Sequence, residues 1–586
     1  MMRLIEKRFS LVLSSILLLC VLSLSCGGPK SNSSGSASNT STLGTRGGSA
    51  SYKLTSPPTT FNYLMAADEP TLMTSFCLLS EPLIDFDHRT QKYKPALAES
   101  WKTRDDGVTV DIKLRDGLKF SDGSELTSDD VVFTLAAIYK QSDSPVWKDS
   151  MLVGGKPIVG AVTDKLNLTF LFPEKVASVE NYLVNLGVLS HRALKADFDA
   201  GKLGESWKMN ADPKTIVTSG PFMVESVSAG ERVTLARNPN FWKKDSAGTQ
   251  LPYLDKLSLE IISDANNAIA RLNQGTVDVL DRIRPADYAT FKSSPGNVNA
   301  VDVGPGLSTD HIFFNLNKAK AGGEKLEGTP KYTWFSDKRF RQAVSMAIDR
   351  DSIVSTTLRG LATPLSGFVS PGNRALADAS LPKPVRDLDK AAKLLTDAGF
   401  TKREGEAPEL YDAKNNRVEF TLVVPIENEP RKLMAAVIQE DLAKLGIKMT
   451  VAPVEFQNLT ERWTKSYDYD AILLGLALTD TEPSSYGNFL MSNAAAHQWQ
   501  PNEKEPATDW EKRIDQLFTE QGRESDPAKR TALFNEIQKI MADEMPVIPI
   551  VVRHITSAAS NRIGNYSPSP IVPYSLWNVE ELFARQ

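Results

Sequence analysis

"ALAESWKTRDDGVTVDIKLRDGLKFSDGSELTSDDVVFTL", residues 96–135, is the stretch of this chain that reveals most about its fold. Apolar side chains alternate with polar ones from Val108 to Leu114, a period of two that is typical of a half-buried strand. Two Asp-Gly turn dipeptides follow. Thr127 then precedes an acidic first turn and an apolar-periodic run, so we predict a helix capped by Thr127.

A second pattern lies further along the chain. Residues 418–424 alternate as a strand, residues 431–445 read as a helix that ends at Gly446, and residues 447–451 begin another strand. A strand, a helix and a strand over about thirty residues form a βαβ unit. Before it, we expect a helix with Ser336 as N-cap. The chain is therefore predicted to belong, at least in part, to the α/β class.

The stretch at residues 96–135 also closely resembles the signature of the family 5 extracellular solute-binding proteins, the oligopeptide, dipeptide and nickel receptors of ABC importers. It holds "LAESW", an Asp-Gly with an alternating strand, and segments of the type "LR-x-G-x-x-F-x-DG" and "T-x-x-D-V". Further segments resemble the family in the expected order: "TSGPFMVESVSAGERVTLARNPNFW", "FFNLNK", "FSDKRFRQAVSMAIDRDSIV", "DLDKAAKLLTDAGF", "YDAILLGL" and "MPVIPIVV". The resemblance thus extends along nearly the whole mature chain.

This resemblance implies a two-lobed α/β fold like that of periplasmic binding proteins, with mixed sheets and a ligand cleft between the lobes. Lobe I would combine residues 52–83, 213–305 and 552–586; an extra domain, residues 84–212, would be inserted in it; lobe III would be residues 306–551. It also implies a receptor that captures an oligopeptide or similar solute between closing lobes and delivers it to the permease subunits of an ABC transporter.

The resemblance also implies where the ligand binds. In the family's peptide binders, an aspartate in a stretch of the type G-x-x-x-D-x-x-E/D-P pairs with the peptide's amino group. Here that stretch is residues 475–489, in which Glu482 fits the pattern but Thr479 stands at the aspartate position. Asp480 lies one residue late. A one-residue bulge would aim Asp480 into the cleft; without it, a strand would point Asp480 to the other face. The alternative is that Asp480 is a solvated loop acid.

Near the N-terminus, the resemblance implies that Asp68, Glu69, Pro70 and Thr71 run past the ligand backbone. Because Thr479 departs from the peptide-binding pattern, a non-peptide solute such as an oligosaccharide or a metal complex remains an alternative ligand.

The first residues of the chain read as an export signal. Three basic residues precede an apolar run at residues 11–24, which is short for a membrane-spanning helix. The run ends at Ser25-Cys26, which resembles a bacterial lipoprotein signal, so we expect a signal peptide at residues 1–25 and lipid on Cys26. An ordinary signal peptide with an incidental cysteine is the alternative. Residues 26–51 are rich in Ser and Gly and are predicted to form a flexible tether.

Composition fits a globular protein, with 41% hydrophobic and 24% charged residues. Without residues 1–25 the chain has 64 Lys and Arg against 71 Asp and Glu, a net charge of −7 that argues against nucleic acid as a partner. Cys77 is then the cysteine left without a partner, so we expect no disulfide.

Catalytic and metal-binding motifs are scarce in this sequence. It has no HExxH, GxSxG, Walker or paired CxxC pattern. The five histidines have no metal-ligand spacing and are predicted to be structural or solvated: His88, His191, His311, His497 and His554. We therefore expect a monomeric receptor without catalytic residues, bound metal or cofactor. An envelope hydrolase or chaperone on the same scaffold is the alternative.

Overall fold

The structure is a computed structural model. It describes residues 41–585 apart from residues 141–144, 404, 406, 407 and 479. The expected signal peptide, Cys26 and most of the expected tether lie outside the described residues, as does Thr479. Among the described residues, no helix combines the length and the apolar composition that crossing a membrane requires.

The largest element is one mixed sheet of eleven strands. Ten of them follow one another in the sheet in this order: Phe222–Ser228, Arg232–Arg237, Lys256–Ile261, Ser49–Leu54, Val279–Asp281, Val547–Ser560, Val298–Phe314, Ala471–Leu476, Glu419–Pro425 and Lys448–Val454. The eleventh strand, Ala362–Pro364, pairs with Val547–Ser560. Parallel and antiparallel pairs both occur in this sheet.

Two strands of this sheet are much longer than the others. Val298–Phe314 and Val547–Ser560, here called the two long strands, pair antiparallel along most of their length. Their register shifts between Asp302 and Gly304, between Pro305 and Thr309, and again at Asp310. Such irregularities loosen the ladder and bend a strand pair locally.

Smaller sheets complete the strand structure. An antiparallel sheet contains, in spatial order, Ala98–Thr103, Thr109–Leu114, Asn167–Leu171 and Val159–Val162. Two-stranded pairs are Ile84–Asp87 with Lys92–Pro95, Leu152–Val153 with Lys156–Pro157, Thr401–Arg403 with Glu409–Tyr411, and Ile563–Gly564 with Phe583–Ala584.

The described α-helices flank these sheets. The longer ones are Ser128–Lys140, His191–Asp199, Ala265–Asn273, Pro285–Ser293, Lys338–Ala347, Leu388–Asp397, Glu429–Ala443, Asp509–Gln521 and Pro527–Glu544. Short helices are Glu69–Leu72, Pro145–Ser150, Glu180–Leu183, Pro330–Ser336, Arg350–Ser352, Phe456–Glu461 and Gly487–Leu490.

The predicted βαβ unit is confirmed. Glu419–Pro425 and Lys448–Val454 pair in parallel, and the helix Glu429–Ala443 connects them. Gly446 follows that helix with φ +82°, and a Cβ there would lie 2.7 Å from the backbone nitrogen of Leu410. Glycine is therefore required here both for the left-handed conformation and for the close approach.

Two predicted helix caps differ from the structure. Ser336 ends a short helix, and Asp337 caps the next one because its carboxylate accepts a hydrogen bond from the Arg339 amide at 2.9 Å. Thr127 stands at the predicted helix start, but its amide donates to the Asp130 carboxylate at 2.8 Å. Asp130, three residues after Thr127, thus bonds back to the backbone of the N-cap residue, which is one of the two hydrogen bonds of a capping box.

Apolar packing divides the described chain into two halves. Three of the five buried clusters draw on residues 50–300 and 558–582, which we call the first half. The other two draw on residues 312–551, the second half. The two long strands pass from one half to the other, and their register shifts lie where the cores change over.

The last residues of the expected flexible tether belong to a strand in the structure. Ser49–Leu54 is a strand that pairs in parallel with Lys256–Ile261, and Ala50, Tyr52 and Leu54 bury their side chains on one face. This pairing joins residues about 200 positions apart, so local Ser and Gly content could not reveal it. The ordered chain begins before residue 51.

Candidate functional site

Two adjoining cavities lie between the two halves, beside a separate groove that residues of both halves also line. The first encloses about 220 Å³; the first half supplies most of its wall, including Phe76 and Trp577, and the second half supplies Asp480 and Thr481. The second cavity encloses about 390 Å³. Leu478 of the second half lines it. A site built from both halves suits a ligand that is enclosed when the halves approach each other.

The two cavities adjoin along one segment. Ile571 and Val572 line both of them, so the chain at this point separates one cavity from the other. From the second half, Leu478 lines the second cavity, and Asp480 and Thr481 line the first. The two cavities therefore form neighbouring chambers of one cleft.

The first cavity carries acidic groups. Asp85 and Asp480 line it together with Glu81, whose Oε1 accepts a hydrogen bond from Trp242 Nε1 at 3.1 Å. Burial, with the nearby charge of Asp85, raises the pKa of Glu81 to about 8. Glu81 therefore holds its proton at neutral pH, and the acidic groups left to face a ligand are Asp480 and Asp85, which pairs with Lys94 at 3.0 Å.

Further ionisable groups in this cavity are neutralised. Lys243 forms an ion pair with Glu580. Burial opposes the charged form of Lys243, but the charges of Glu580 and Asp85 outweigh it and raise the pKa of the lysine. Burial lowers the pKa of His88 to about 3, so this histidine is neutral at physiological pH.

The second cavity carries basic groups. Arg282, Arg284, Arg553 and His554 line it, and no carboxylate is among the described residues of its wall. Each arginine pairs with an acid behind the wall: Arg282 with Glu69 at 2.5 Å, Arg284 with Asp287 at 2.6 Å, and Arg553 with Asp310 at 3.2 Å. These pairs fix the guanidinium groups in place.

The segment Asp68–Thr71 borders the second cavity through Arg282. Asp68 caps the short helix Glu69–Leu72, since it accepts hydrogen bonds from the Thr71 amide at 2.9 Å and hydroxyl at 2.8 Å. Pro70 and Thr71 are buried. The structure thus brings Glu69 to the cleft indirectly, through its ion pair with Arg282.

The two acids of the second predicted segment, residues 475–489, lie in different places. Asp480 lines the first cavity, but its side chain also accepts hydrogen bonds from the Glu482 amide and the Ser485 hydroxyl. Surrounding protein raises the pKa of Asp480 through desolvation. Glu482 instead points to a separate groove beside the first cavity, where it is buried and forms an ion pair with Arg530.

Sequence reasoning did not identify residues 570–580 or the arginines of the second cavity as part of the site. The run "PSPIVPYSLWN" combines three prolines with aromatic side chains, a composition that suits a rigid, apolar wall. That local signal was available. The arginines have no such signal in the local sequence, because they reach the cleft from strands and loops that are far apart in the sequence.

The comparisons with known proteins agree with this architecture. The family model described as "Bacterial extracellular solute-binding proteins, family 5 Middle" matches residues 92–498, more than two thirds of the chain. This chain belongs to family 5 of the bacterial extracellular solute-binding proteins. The family consists of binding proteins, and its fold is the two-lobed α/β fold that the sequence implied.

Individual relatives cover most of the chain. A "Probable ABC transporter-binding protein" of Deinococcus radiodurans is 29% identical over 538 residues, which are 87% of each chain. The "Oligopeptide-binding protein AppA" of Bacillus subtilis is 27% identical over 596 residues, 98% of each chain. A solved structure of that protein in complex with a nonapeptide has a TM-score of 0.65 at 26% identity, covering 93% of this chain and all of the other.

Proposed function

We propose that this member of family 5 is the solute-binding receptor of an ABC importer and that its solute is a peptide with free ends. The observation that carries the proposal is the opposite charge of the two adjoining chambers. One presents Asp85 and Asp480, and the other presents Arg282 and Arg553. A free peptide in water is a zwitterion and therefore matches a cleft with one acidic and one basic end.

At the acidic end, Asp480 would receive the peptide's ammonium group. A hydrogen bond between two opposite charges is stronger than a neutral one, and enclosure strengthens it further. The hydroxyl of Ser485 already orients both oxygens of Asp480. Each carboxylate oxygen can accept more than one hydrogen bond, so these contacts leave room for the ligand. Thr479, adjacent to it, is proposed as a second contact.

At the basic end, Arg282 and Arg553 would receive the peptide's carboxylate. The guanidinium fork matches a carboxylate with two parallel hydrogen bonds. The segment Asp68, Glu69, Pro70 and Thr71 is proposed to run beside the ligand backbone, with Glu69 holding Arg282 in position. Glu482, paired with Arg530, would support the wall behind Asp480.

Closure of the two halves is proposed to enclose the solute. We assign lobe I to residues 52–83, 213–305 and 552–586, the inserted domain to residues 84–212, and lobe III to residues 306–551. The division of the apolar cores supports the separation of lobe III from the rest, whereas one apolar cluster contains residues of both lobe I and the inserted domain. Contacts that form only in the closed arrangement would supply the free energy of closure.

In this structure the halves touch across the cleft. Gln91 Nε2 donates to the Gly372 carbonyl at 2.9 Å, and Arg374 Nη2 donates to the Arg89 carbonyl at 2.7 Å. The Ala177 amide donates to the Gly522 carbonyl at 2.9 Å. These contacts support an interpretation in which the described conformation is the closed one.

The cellular setting is part of the same proposal. We propose that residues 1–25 direct export, that lipid on Cys26 anchors the chain to a membrane facing the periplasm or the exterior, and that the receptor acts as a monomer. Its partners would be the permease subunits, with no role for nucleic acid. It would release its solute unchanged rather than act as an enzyme.

The test is capture from a peptide library. The protein is unfolded to remove any ligand, refolded, mixed with random peptides, separated from free peptide and analysed by mass spectrometry. We expect intact peptides in stoichiometric amount, and N-acetylated, C-amidated copies of the same library should be excluded. Equal capture of blocked peptides, or none of either, favours a non-peptide solute such as an oligosaccharide or a metal complex; cleaved peptides favour an enzyme.

A further inference from the structure

Three ionisable side chains converge inside the second half, away from the cleft. His497, Glu503 and Glu511 are 0%, 7% and 2% exposed, and none of them lines either cleft cavity. One ligand atom from each lies within 4.8 Å of the others. Their spacing in the sequence matches no metal motif, and only the fold brings them together.

The imidazole of His497 has a fixed tautomer. Its Nδ1 lies 3.2 Å from the carbonyl oxygen of Phe489, which can only accept, so Nδ1 carries the proton. Nε2 is then the ring nitrogen that could bind a metal ion. It lies 3.8 Å from Glu511 Oε1, too far for a hydrogen bond, and no described polar group bonds to it.

Hydrogen bonds hold the carboxyl groups of Glu511 and Glu503 in place. Glu511 accepts from Trp499 Nε1 at 2.8 Å and from the Thr508 hydroxyl at 2.8 Å. Glu503 Oε2 accepts from the Ala507 amide at 3.2 Å, while its Oε1 has no hydrogen-bond partner among the described residues.

Polar atoms without partners face one another in this cluster. Glu503 Oε1 and His497 Nε2 have no hydrogen-bond partner among the described residues, and Glu511 lies beside them in the protein interior. Buried polar groups without partners are costly, and a bound metal ion would supply the missing partner.

We propose that His497, Glu503 and Glu511 bind a divalent transition-metal ion of the Zn²⁺ type. One imidazole nitrogen and two carboxylate oxygens are donors that Zn²⁺ accepts in proteins, whereas Ca²⁺ and Mg²⁺ prefer sites made of oxygen alone. In tetrahedral coordination, donor atoms about 2.0–2.2 Å from Zn²⁺ lie about 3.3–3.6 Å apart. His497 Nε2 and Glu511 Oε1, at 3.8 Å, are already close to that spacing, and the widest pair would have to shorten by about 1 Å.

The surroundings of the cluster suit a metal site. The Phe489 carbonyl sets the tautomer of His497, and Trp499 and Thr508 orient Glu511. Hydrogen bonds of this kind commonly position metal ligands. The ion would join the loop after the helix Gly487–Leu490 to the helix Asp509–Gln521. Because the ligands are buried, its role is structural.

The experiment measures metal binding by the refolded, metal-free protein. Zn²⁺ alone is titrated by calorimetry, with Mg²⁺ in parallel, and bound metal is counted by mass spectrometry after dialysis. We expect one Zn²⁺ per chain, no binding of Mg²⁺, and a higher unfolding temperature with Zn²⁺. Glu503→Gln and His497→Gln should each weaken binding at least about 100-fold, since each removes a direct ligand.

Two features keep the test decisive. Glu503→Gln replaces a buried carboxyl group by an amide of nearly the same shape, so its metal-free form should unfold at a temperature close to that of the metal-free wild type. His191→Gln, which alters a half-buried histidine on the helix His191–Asp199, should bind Zn²⁺ like the wild type. Absence of saturable Zn²⁺ binding, or equal binding by the two ligand variants and the wild type, overturns the proposal.

Discussion

The hydroxyl oxygen of Ser485 lies 2.7 and 2.8 Å from the two carboxylate oxygens of Asp480, which share its single proton. Asp480 also accepts from the Glu482 amide at 2.9 Å, so it shapes the turn that precedes the short helical segment Pro483–Tyr486. The same side chain lines the first cavity. Asp480 can therefore act in the turn, in ligand binding, or in both, and substitutions can separate these roles.

Asp480→Asn should weaken peptide binding strongly. Truncating one partner of a buried charge pair costs about 2–5 kcal/mol, or roughly 30-fold to several-thousand-fold in Kd. Calorimetry with a captured peptide at low and high salt measures this loss. A surface acid would instead cost under about 1 kcal/mol, and its effect would fade with salt.

Ser485→Ala is the matched control for this substitution. It removes the hydroxyl that orients Asp480 but leaves the carboxylate charge in the cavity. Its effect on Kd should be well below that of Asp480→Asn. Equal losses would mean that Asp480 acts through the turn, and a loss below about threefold in Asp480→Asn would remove it from the ligand site.

Glu81→Gln should change how stability depends on pH. The pKa of Glu81 is about 8 in the folded protein, against an ordinary value of 4.5. The folded protein thus keeps a proton that the unfolded chain releases, so this group makes stability fall as pH rises from about 5 to 8. The variant lacks that contribution, and its advantage over the wild type should grow across this range.

Urea unfolding at pH 5, 6, 7 and 8 measures this difference. The glutamine side chain of the variant retains an oxygen that can accept from Trp242 Nε1, so packing is preserved. Glu99→Gln, at an exposed position, serves as control and should show no growing advantage of this kind. A constant difference between Glu81→Gln and the wild type at all four values would contradict the raised pKa.

Cys26→Ser should release the protein from membranes. Cys26 follows the apolar run of the export signal, and a lipid attached there would be the only anchor that the sequence suggests. Fractionation of cells that express each form measures the distribution. Cys20→Ser, which alters the cysteine inside the apolar run, should leave the protein on the membrane; full retention of Cys26→Ser would contradict the anchor.

Local patterns in the sequence predicted those parts of the fold that depend on local chemistry. The alternation before Leu114 and the glycine at 446 report directly on a strand and a helix end. The strand at Ser49–Leu54 was missed because its pairing with Lys256–Ile261 is a long-range event. The cap at Asp337 was missed because two capping residues, Ser336 and Asp337, stand side by side.

The site was predicted less completely for a related reason. Asp480 could be identified because the resemblance supplied a pattern for its segment. Arg282 and Arg553 lie about 270 residues apart and meet in the second cavity only through folding. The cluster of His497 and Glu511 likewise depends on the path of the loop between them, which no spacing rule describes.

The most direct test of solute capture between closing halves is small-angle X-ray scattering on one protein sample with and without ligand. The protein is freed of ligand by unfolding and refolding, then measured alone and saturated with a peptide from the capture experiment. The account predicts a smaller radius of gyration in the saturated sample, because the contacts of Gln91 and Arg374 with the opposite half re-form. An unchanged scattering profile at saturation would contradict it.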